Sequence, residues 1–488
     1  MPRYLVTSAL PYANGPLHFG HVIGAYLPAD VYVRTLRMQG EEVLYVCGTD
    51  EHGVAITIGA EERAEAYPAY VARWRGVIER TFAAFGIEFD HWSGTSTSPQ
   101  HAELSQRFFL NLERHGYLER RETEQLYSAA SGRFLADRYV VGTCPRCGHE
   151  PARGDECPRC GAWYDALELR NPRSKLDGSA LERRRTTHWY LDLPKLRDEH
   201  LGEWVRTHEW KPNVRDFLGG LLEDVPARAI TRDMEWGVPL PAATKGYEPG
   251  KVLYVWFDAP IGYVSITREW AAARGEPDAW ERWWRSPDTR LVHFIGKDNI
   301  PFHCLVFPAM LWGQREGWVL PWQVPANEFY NLEGRKFSTS EGWSIPLDDF
   351  LARYDAEAAR FYLLASAPET ADSDWLWEGF RDCTNALLAD TLGNLVTRVL
   401  RFCAKHWDGA LPPLDPAHAA ELDRILFAEC GEWGDPGEHV RAFRFRRAAE
   451  QFVQNARVAN VFVDRLAPWT LRKQDPARAG SALRTAAE

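Results

Sequence analysis

No stretch of this 488-residue chain holds the ~20 consecutive apolar residues that a membrane helix needs; the longest, residues 301–313, is interrupted by His303. The first residues run straight into an apolar strand pattern with no basic n-region, h-region or small-residue cleavage site, so no export is expected. Basic charge is not in excess: 57 Lys and Arg against 68 Asp and Glu give −11, which argues against a general nucleic-acid coat while leaving room for a local basic strip. Lysine is scarce, only nine of the 57 basic residues, so each one placed in a motif carries weight. No tandem repeat or low-complexity tract is present. Cysteine number is odd, nine, and five (Cys47, Cys304, Cys383, Cys403, Cys430) stand alone, which fits buried thiols in a reducing, cytoplasmic compartment.

What is present is an ordinary globular composition, 45% hydrophobic and 13% aromatic with 21 Trp, which excludes disorder, collagen-like repeats and a disulfide scaffold. The length predicts two to four domains. Residues 4–8 read as a strand, 11–16 as a loop, 19–39 as a helix ended at Gly40, and 43–47 as a second strand. That is a βαβ unit, whose ligands sit at the carboxyl ends of its strands. The polar clusters 10–21 and 48–53 fall there, and a third, Gly296-Lys297-Asp298, follows the apolar strand pattern 291–295. Residues 117–225 break this rhythm and read as an insertion; after about Glu378 the pattern is helical only.

Four constellations carry chemistry. His18-Phe19-Gly20-His21 opens a helix behind Asn14-Gly15-Pro16, where free amides and two imidazoles one turn apart suit phosphate oxygens and Gly20 admits a flat base; a capping histidine is the plain alternative. Residues 254–263 set aromatics beside Ala259-Pro260, which suits a compact apolar side chain or simply a core. Cys144-x2-Cys147-x9-Cys157-x2-Cys160 has the spacing of a closed, structural zinc site, with an iron centre or four free thiols as other fits. Residues 393–398, then Arg441, Arg444, Arg446 and Arg447, then Ala467-Pro468-Trp469 combine phosphate-seeking charge with a ring that could stack an unpaired base, or form a solvated face.

Read together, the segments resemble one family. Residues 10–15 with His18-Phe19-Gly20-His21 resemble the HIGH signature of class I aminoacyl-tRNA synthetases in its methionyl-tRNA synthetase form. The resemblance continues in order through Gly48-Thr49-Asp50-Glu51-His52-Gly53, residues 254–263, His293-Phe294-Ile295-Gly296-Lys297-Asp298 and Lys336-Phe337-Ser338-Thr339-Ser340. It implies a multidomain α/β protein, a Rossmann-type parallel-sheet catalytic domain with a zinc-knuckle insertion, followed by an all-α helical bundle. The expected boundaries are 1–116 and 226–325 for the catalytic halves, 117–225 for the insertion, 326–377 for a linking segment and 378–488 for an anticodon-binding bundle. That bundle is expected to be abbreviated, since the chain ends 19 residues after Trp469.

By the same resemblance, His18, His21, Lys336, Thr339, Lys297 and Arg232 are expected to act on the phosphates. Asn14, Gly20, Gly296, Asp298, Ser338 and Ser340 are expected to bind ATP. Leu10, Tyr12, Trp256, Ala259, Pro260, Tyr263 and His303 are expected to wall the methionine side chain, with Asp50 on the substrate ammonium, and Trp469 and Arg398 to meet the anticodon. Thr339 departs from the KMSKS pattern by replacing its second lysine, which leaves Lys336, Arg232 and Lys297 to supply charge. The implied activity is ATP-dependent formation of methionyl-adenylate and its transfer to tRNA(Met), with one structural Zn²⁺, Mg²⁺ accompanying ATP, no membrane partner and a monomeric state. A paralogue feeding activated methionine to a specialised pathway and a non-catalytic RNA-binding homologue are the alternatives.

Overall fold

The computed structural model describes residues 2–154, 157–162, 164–338 and 342–487. It separates into two compact units: Met1–Pro16, Glu41–Phe82 and Glu88–Ala326 form the first, and Leu17–Gly40, Ala83–Ile87 and Asn327–Glu488 the second. Among the described residues no helix is long and apolar enough to cross a membrane.

The first unit is built on a parallel sheet with spatial order Pro321–Gln323, Thr289–Gly296, Arg3–Ser8, Glu42–Thr49, His91–Gly94. Strand Arg3–Ser8 is buried along nearly its whole length, as a parallel strand covered on both faces must be, and its run Tyr4-Leu5-Val6 supplies the apolar side chains for that. Leu5 pairs with Leu291 on one side and Leu44 on the other. Chain order therefore reverses across this central strand, and the loops that leave the carboxyl ends of the three middle strands begin at Ala9, Asp50 and Lys297. Helix Val255–Ala273 packs on Glu42–Thr49 and His91–Gly94, and helix His101–Arg114 packs on it in turn. Pro260 lies inside the first of these helices, so the Trp256 carbonyl one turn earlier loses its usual N–H partner.

The expected insertion is a second kind of structure, an antiparallel pair Leu118–Ser128 and Glu182–Leu191 in register from Leu118↔Leu191 to Tyr127↔Glu182. Beside it a small sheet, Ala152–Arg153, Val140–Thr143 and Arg170–Ser174, carries the cysteine turns. Its core is small, and two of its nine buried members among the described residues are Cys144 and Cys157.

In the second unit the expected helix at 19–39 is present as Phe19–His21, a wider π-type stretch Val22–Tyr26, and Leu27–Met38. Phe19 stacks on Trp375 at 4.1 Å, and buried Asp30 accepts from Arg360 at 2.7 Å and Arg34 at 2.9 Å. Strands Arg335–Lys336, Tyr330–Leu332 and Ser373–Trp375 form a three-stranded sheet. From Trp377 onward the described residues are helical, and Asn394–His406, Phe445–Leu466 and Pro476–Ala487 pack around Leu395, Leu422, Phe462 and Leu483. The α/β sheet, the four-cysteine insertion and the helical C-terminal region match the fold class expected from sequence.

Candidate functional site

In the first unit two loops are laced together by main chain: Asp50 N–H donates to the Pro11 carbonyl and Ala13 N–H to the Asp50 carbonyl, both at 2.9 Å. This brings Leu10 and Tyr12 beside Asp50. Trp256 Nε1 donates to Tyr12 Oη at 3.1 Å, and its ring meets Phe302 edge-on at 3.9 Å. Leu10 lies against helix Val255–Ala273 at Gly262, where an added Cβ would come within 2.9 Å of Leu10 Cδ1. Ala259 and Pro260 lie between Trp256 and Tyr263 on the same helix, so the residues expected to wall the side chain come from this helix, from the loop holding Leu10 and Tyr12, and, for His303, from the stretch Phe302–Val306. Asp50 is buried; burial first, then the charge of Asp258, pushes its carboxyl well above the usual range, which an ammonium partner would reverse.

Tyr263 and His303 form a directional pair. His303 Nδ1 lies 3.1 Å from the Asn299 carbonyl, which only accepts, so the proton sits on Nδ1. Burial lowers the ring's pKa to about 4, so Nε2 is a lone pair, and Tyr263 O–H donates to it at 2.8 Å. The phenol hydrogen is thereby committed.

The same buried ring predicts a pH effect on stability. With the folded pKa near 4 and the unfolded value 6.5, only the unfolded chain takes up this proton in between. Stability is full above about pH 6.5 and falls by about 3 kcal/mol as pH drops toward 4. Thermal unfolding from pH 7 to 4.5 should therefore show a shallower fall in His303→Gln than in the parent; equal slopes would contradict a neutral His303.

Gly296, Lys297 and Asp298 follow strand Thr289–Gly296 at its carboxyl end, with Asp298 exposed. Arg232 lies over the Tyr254 ring at 4.0 Å and donates to the Thr231 carbonyl at 2.8 Å. Asn14 is exposed, its carbonyl accepting from Tyr70 Oη at 3.2 Å.

In the second unit the two histidines of the 18–21 segment face each other, ring centroids 3.8 Å apart, and His18 stacks on Phe337 at 4.6 Å with the planes 10° apart. The His18 main-chain N–H donates to His21 Nδ1 at 3.1 Å, so that nitrogen is a lone pair and the His21 proton lies on Nε2. His21 is exposed by area, while desolvation by the protein packed round it lowers its pKa to about 4. Burial, then His21, then Lys336 hold His18 far lower still. Both rings are therefore neutral at pH 7 and offer N–H groups rather than charge. Gly20 is required by this packing, since a Cβ there would meet His18 Cε1 at 2.9 Å.

Lys336 is exposed and lies over the Phe329 ring at 4.9 Å. Ser338 exchanges two 2.9 Å main-chain hydrogen bonds with Trp343. Thr339 and Ser340 lie outside the described residues.

The four cysteines converge. Sγ separations are 3.9 Å for Cys144–Cys160 and 3.6 Å for Cys147–Cys157, close to the ~3.8 Å edge of a tetrahedron with 2.3 Å metal–sulfur bonds. Main-chain N–H groups of Arg146 and Cys147 each point at Cys144 Sγ from 3.4 Å. Burial opposes ionisation there, but these bonds together with contacts from the Cys147 and Cys157 thiols lower the thiol's pKa. Gly148 and Gly161 close the two turns at φ of +72° and +65°, where a side chain would be strained. The cluster can hold a metal ion.

In the helical region Arg398 lies over the Trp469 ring at 5.1 Å and pairs with Asp464; Trp469 is 42% exposed. Arg447 is paired with Glu450 and Arg441 with Gln39.

The sequence reading did not assign roles to Phe337, His101 or Asp258. Phe337 and Asp258 lie inside recognised motifs, which was a usable signal; nothing local marks His101.

A family model described as "tRNA synthetases class I (M)" matches residues 4–400. Among similar proteins, the methionine–tRNA ligase of Protochlamydia amoebophila is 48% identical over 474 residues, 97% of this chain and 67% of that protein. The methionine–tRNA ligase of Rubrobacter xylanophilus is also 48% identical, over 98% of this chain and 84% of that protein. Among solved structures, Mycobacterium tuberculosis methionyl-tRNA synthetase bound by methionyl-adenylate superposes with a TM-score of 0.74 at 25% identity, covering 100% of this chain and 89% of that one.

Proposed function

The chain belongs to the methionine–tRNA ligases of the class I tRNA synthetase family, and from that premise we propose how its residues divide the work. It activates L-methionine with ATP and transfers the methionyl group to tRNA; its cognate is tRNA(Met). Neither alternative, a specialised paralogue or a non-catalytic homologue, is favoured, because relatives 48% identical over nearly the whole chain are methionine–tRNA ligases, and the motif histidines and Asp50 speak against a non-catalytic homologue. The observation that carries the division of roles is the His18–Phe337 stack, which joins the HIGH-like segment to the KMSKS-like segment within one unit.

Asp50 takes the substrate ammonium, and Leu10, Tyr12, Trp256, Ala259, Pro260, Tyr263 and His303 enclose its thioether side chain. The substrate carboxylate then attacks the α-phosphorus of ATP, and the bond to the pyrophosphate breaks. No protein base is needed, because the nucleophile is already an anion; orientation and stabilisation of phosphate charge do the rest. His18 and His21 supply neutral N–H donors, while Lys336, Lys297 and Arg232 supply charge. Asn14, Gly20, Gly296, Asp298 and Ser338 are assigned to ATP, as are the hydroxyls of Thr339 and Ser340, which lie outside the described residues. Magnesium accompanies ATP and screens its phosphates. Zinc fits the four-thiolate donor set and supplies only a structural crosslink, far from any substrate role. Arg398 and Trp469 meet the anticodon loop, Trp469 by stacking on a base.

In the second step a ribose hydroxyl of the terminal adenosine attacks the methionyl carbonyl and AMP leaves. A tRNA(Met) ending in 2′-deoxyadenosine should not be charged, while one ending in 3′-deoxyadenosine should be. Initial charging at the 3′-hydroxyl would contradict the class I assignment of this step.

A further inference from the structure

Behind Asp50 lies a buried cluster that the roles above leave unused. His52 Nδ1 is 2.6 Å and His101 Nε2 3.3 Å from the same Asp258 oxygen, Oδ2, and all three side chains are buried. The other oxygen, Asp258 Oδ1, is buried with no hydrogen-bond partner among the described residues. The three groups have the make-up of a metal site, but 2.6 Å is too short for two ligands of one ion, which stand roughly 3.3 Å apart in a tetrahedral zinc shell. It is a hydrogen-bond distance.

Proton positions follow from the partners. Ser265 Oγ lies 3.1 Å from the Gly262 carbonyl and 3.1 Å from His101 Nδ1. A hydroxyl that donates to Nδ1 leaves the hydrogen on Nε2, which faces Asp258 Oδ2. His52 and His101 thus both direct ring N–H groups at one carboxylate oxygen.

The cluster ties three elements to the ammonium subsite. His52 lies in the loop after strand Glu42–Thr49, and its main-chain N–H donates to Asp50 Oδ1 at 3.3 Å. Asp258 immediately precedes Ala259 and Pro260 on helix Val255–Ala273, and His101 opens helix His101–Arg114. We propose that His52, His101 and Asp258 are positioning residues for the ammonium end of methionine. Asp258 fixes the His52 ring, and with it the main-chain donor that aims Asp50; His101 holds Asp258 from the other side by its contact with the same oxygen. This rests on the reading of Asp50 as the ammonium ligand. The physical reason for such a unit is that two uncompensated carboxylates this close in a dry site would drive a proton onto one of them, and Asp50 already feels Asp258 in that direction.

The test compares L-methionine with 4-(methylthio)butanoate, the same molecule without its ammonium, in ATP–pyrophosphate exchange by the full chain. Asp258→Asn and His52→Leu should each raise the KM for methionine by about 10- to 100-fold, the range of one charge-assisted contact. The inhibition constant of the butanoate and the KM for ATP should stay within about twofold, because neither uses Asp50. His52→Asn, whose amide nitrogen stands near the Nδ1 position, should recover most of the loss, and this pair carries the test if Asp258→Asn does not fold. Equal weakening of both ligands would show a collapsed pocket and overturn the inference. If Asp50→Asn weakens methionine selectively while Asp258→Asn and His52→Leu leave it unchanged, the positioning role fails and the role of Asp50 stands. Unchanged methionine binding in Asp50→Asn removes both.

Discussion

Replacing His21 by alanine is expected to slow methionyl-adenylate formation by about 10²- to 10³-fold, the cost of removing one preorganised donor from a developing oxyanion. The expectation comes from the ring's fixed tautomer: Nδ1 accepts the His18 N–H, so Nε2–H is the group presented to phosphate. Because that contact strengthens only as charge builds on phosphorus, the loss should appear in the rate constant, with the KM for methionine little changed. A neutral donor also makes a second claim. With the pKa near 4, activation by the free enzyme should show no histidine ionisation between pH 6 and 8, and His21→Gln, which retains an N–H near the Nε2 position, should recover part of the rate. Pre-steady-state adenylate formation measures both. A rate that tracks a group titrating near 6.5, with no recovery in His21→Gln, would mean the ring acts as a cation.

The second large effect concerns the cysteine knuckles. Cys144→Ser combined with Cys147→Ser should abolish binding of about one zinc per chain and unfold the segment around strands Val140–Thr143 and Arg170–Ser174. Structural zinc contributes an apparent ~10 to 16 kcal/mol in small domains, whereas losing one small buried side chain costs only about 1 to 3 kcal/mol. The local core cannot compensate, since Cys144 and Cys157 are themselves among its buried members. Elemental analysis and hydrogen exchange should show metal loss together with deprotection confined to this segment, while adenylate formation falls less than exchange protection. Full protection after metal loss would show that the hydrophobic cluster suffices.

Much of this is legible in the amino-acid sequence. Parallel strands leave nearly continuous apolar runs, so 4–8, 43–47 and 291–295 could be recognised within a residue or two of Arg3–Ser8, Glu42–Thr49 and Thr289–Gly296. Cysteine spacing is set by the turn geometry of the knuckle itself, and the four sulfurs converge as expected. What the sequence hides is long-range pairing and protonation. His101 meets Asp258 across 157 positions, and no local pattern encodes that contact. The motif histidines read as phosphate ligands, but their neutral state depends on burial and on a main-chain donor that only the folded segment supplies. Similarly, the 19–39 pattern gave a helix, whereas the wider turn at Val22–Tyr26 leaves no periodicity signature over five residues.

The central claim is that this arrangement activates methionine, and ATP–pyrophosphate exchange by the purified chain, run with each amino acid in turn, tests it most directly. Methionine should support the fastest exchange. Norleucine, with a methylene in place of the sulfur, should be weaker, and homocysteine weaker but detectable, since its one-methylene difference in an apolar pocket is worth only ~1 to 3 kcal/mol. Exchange that runs faster with leucine or cysteine than with methionine, or no exchange with any amino acid, would contradict the account.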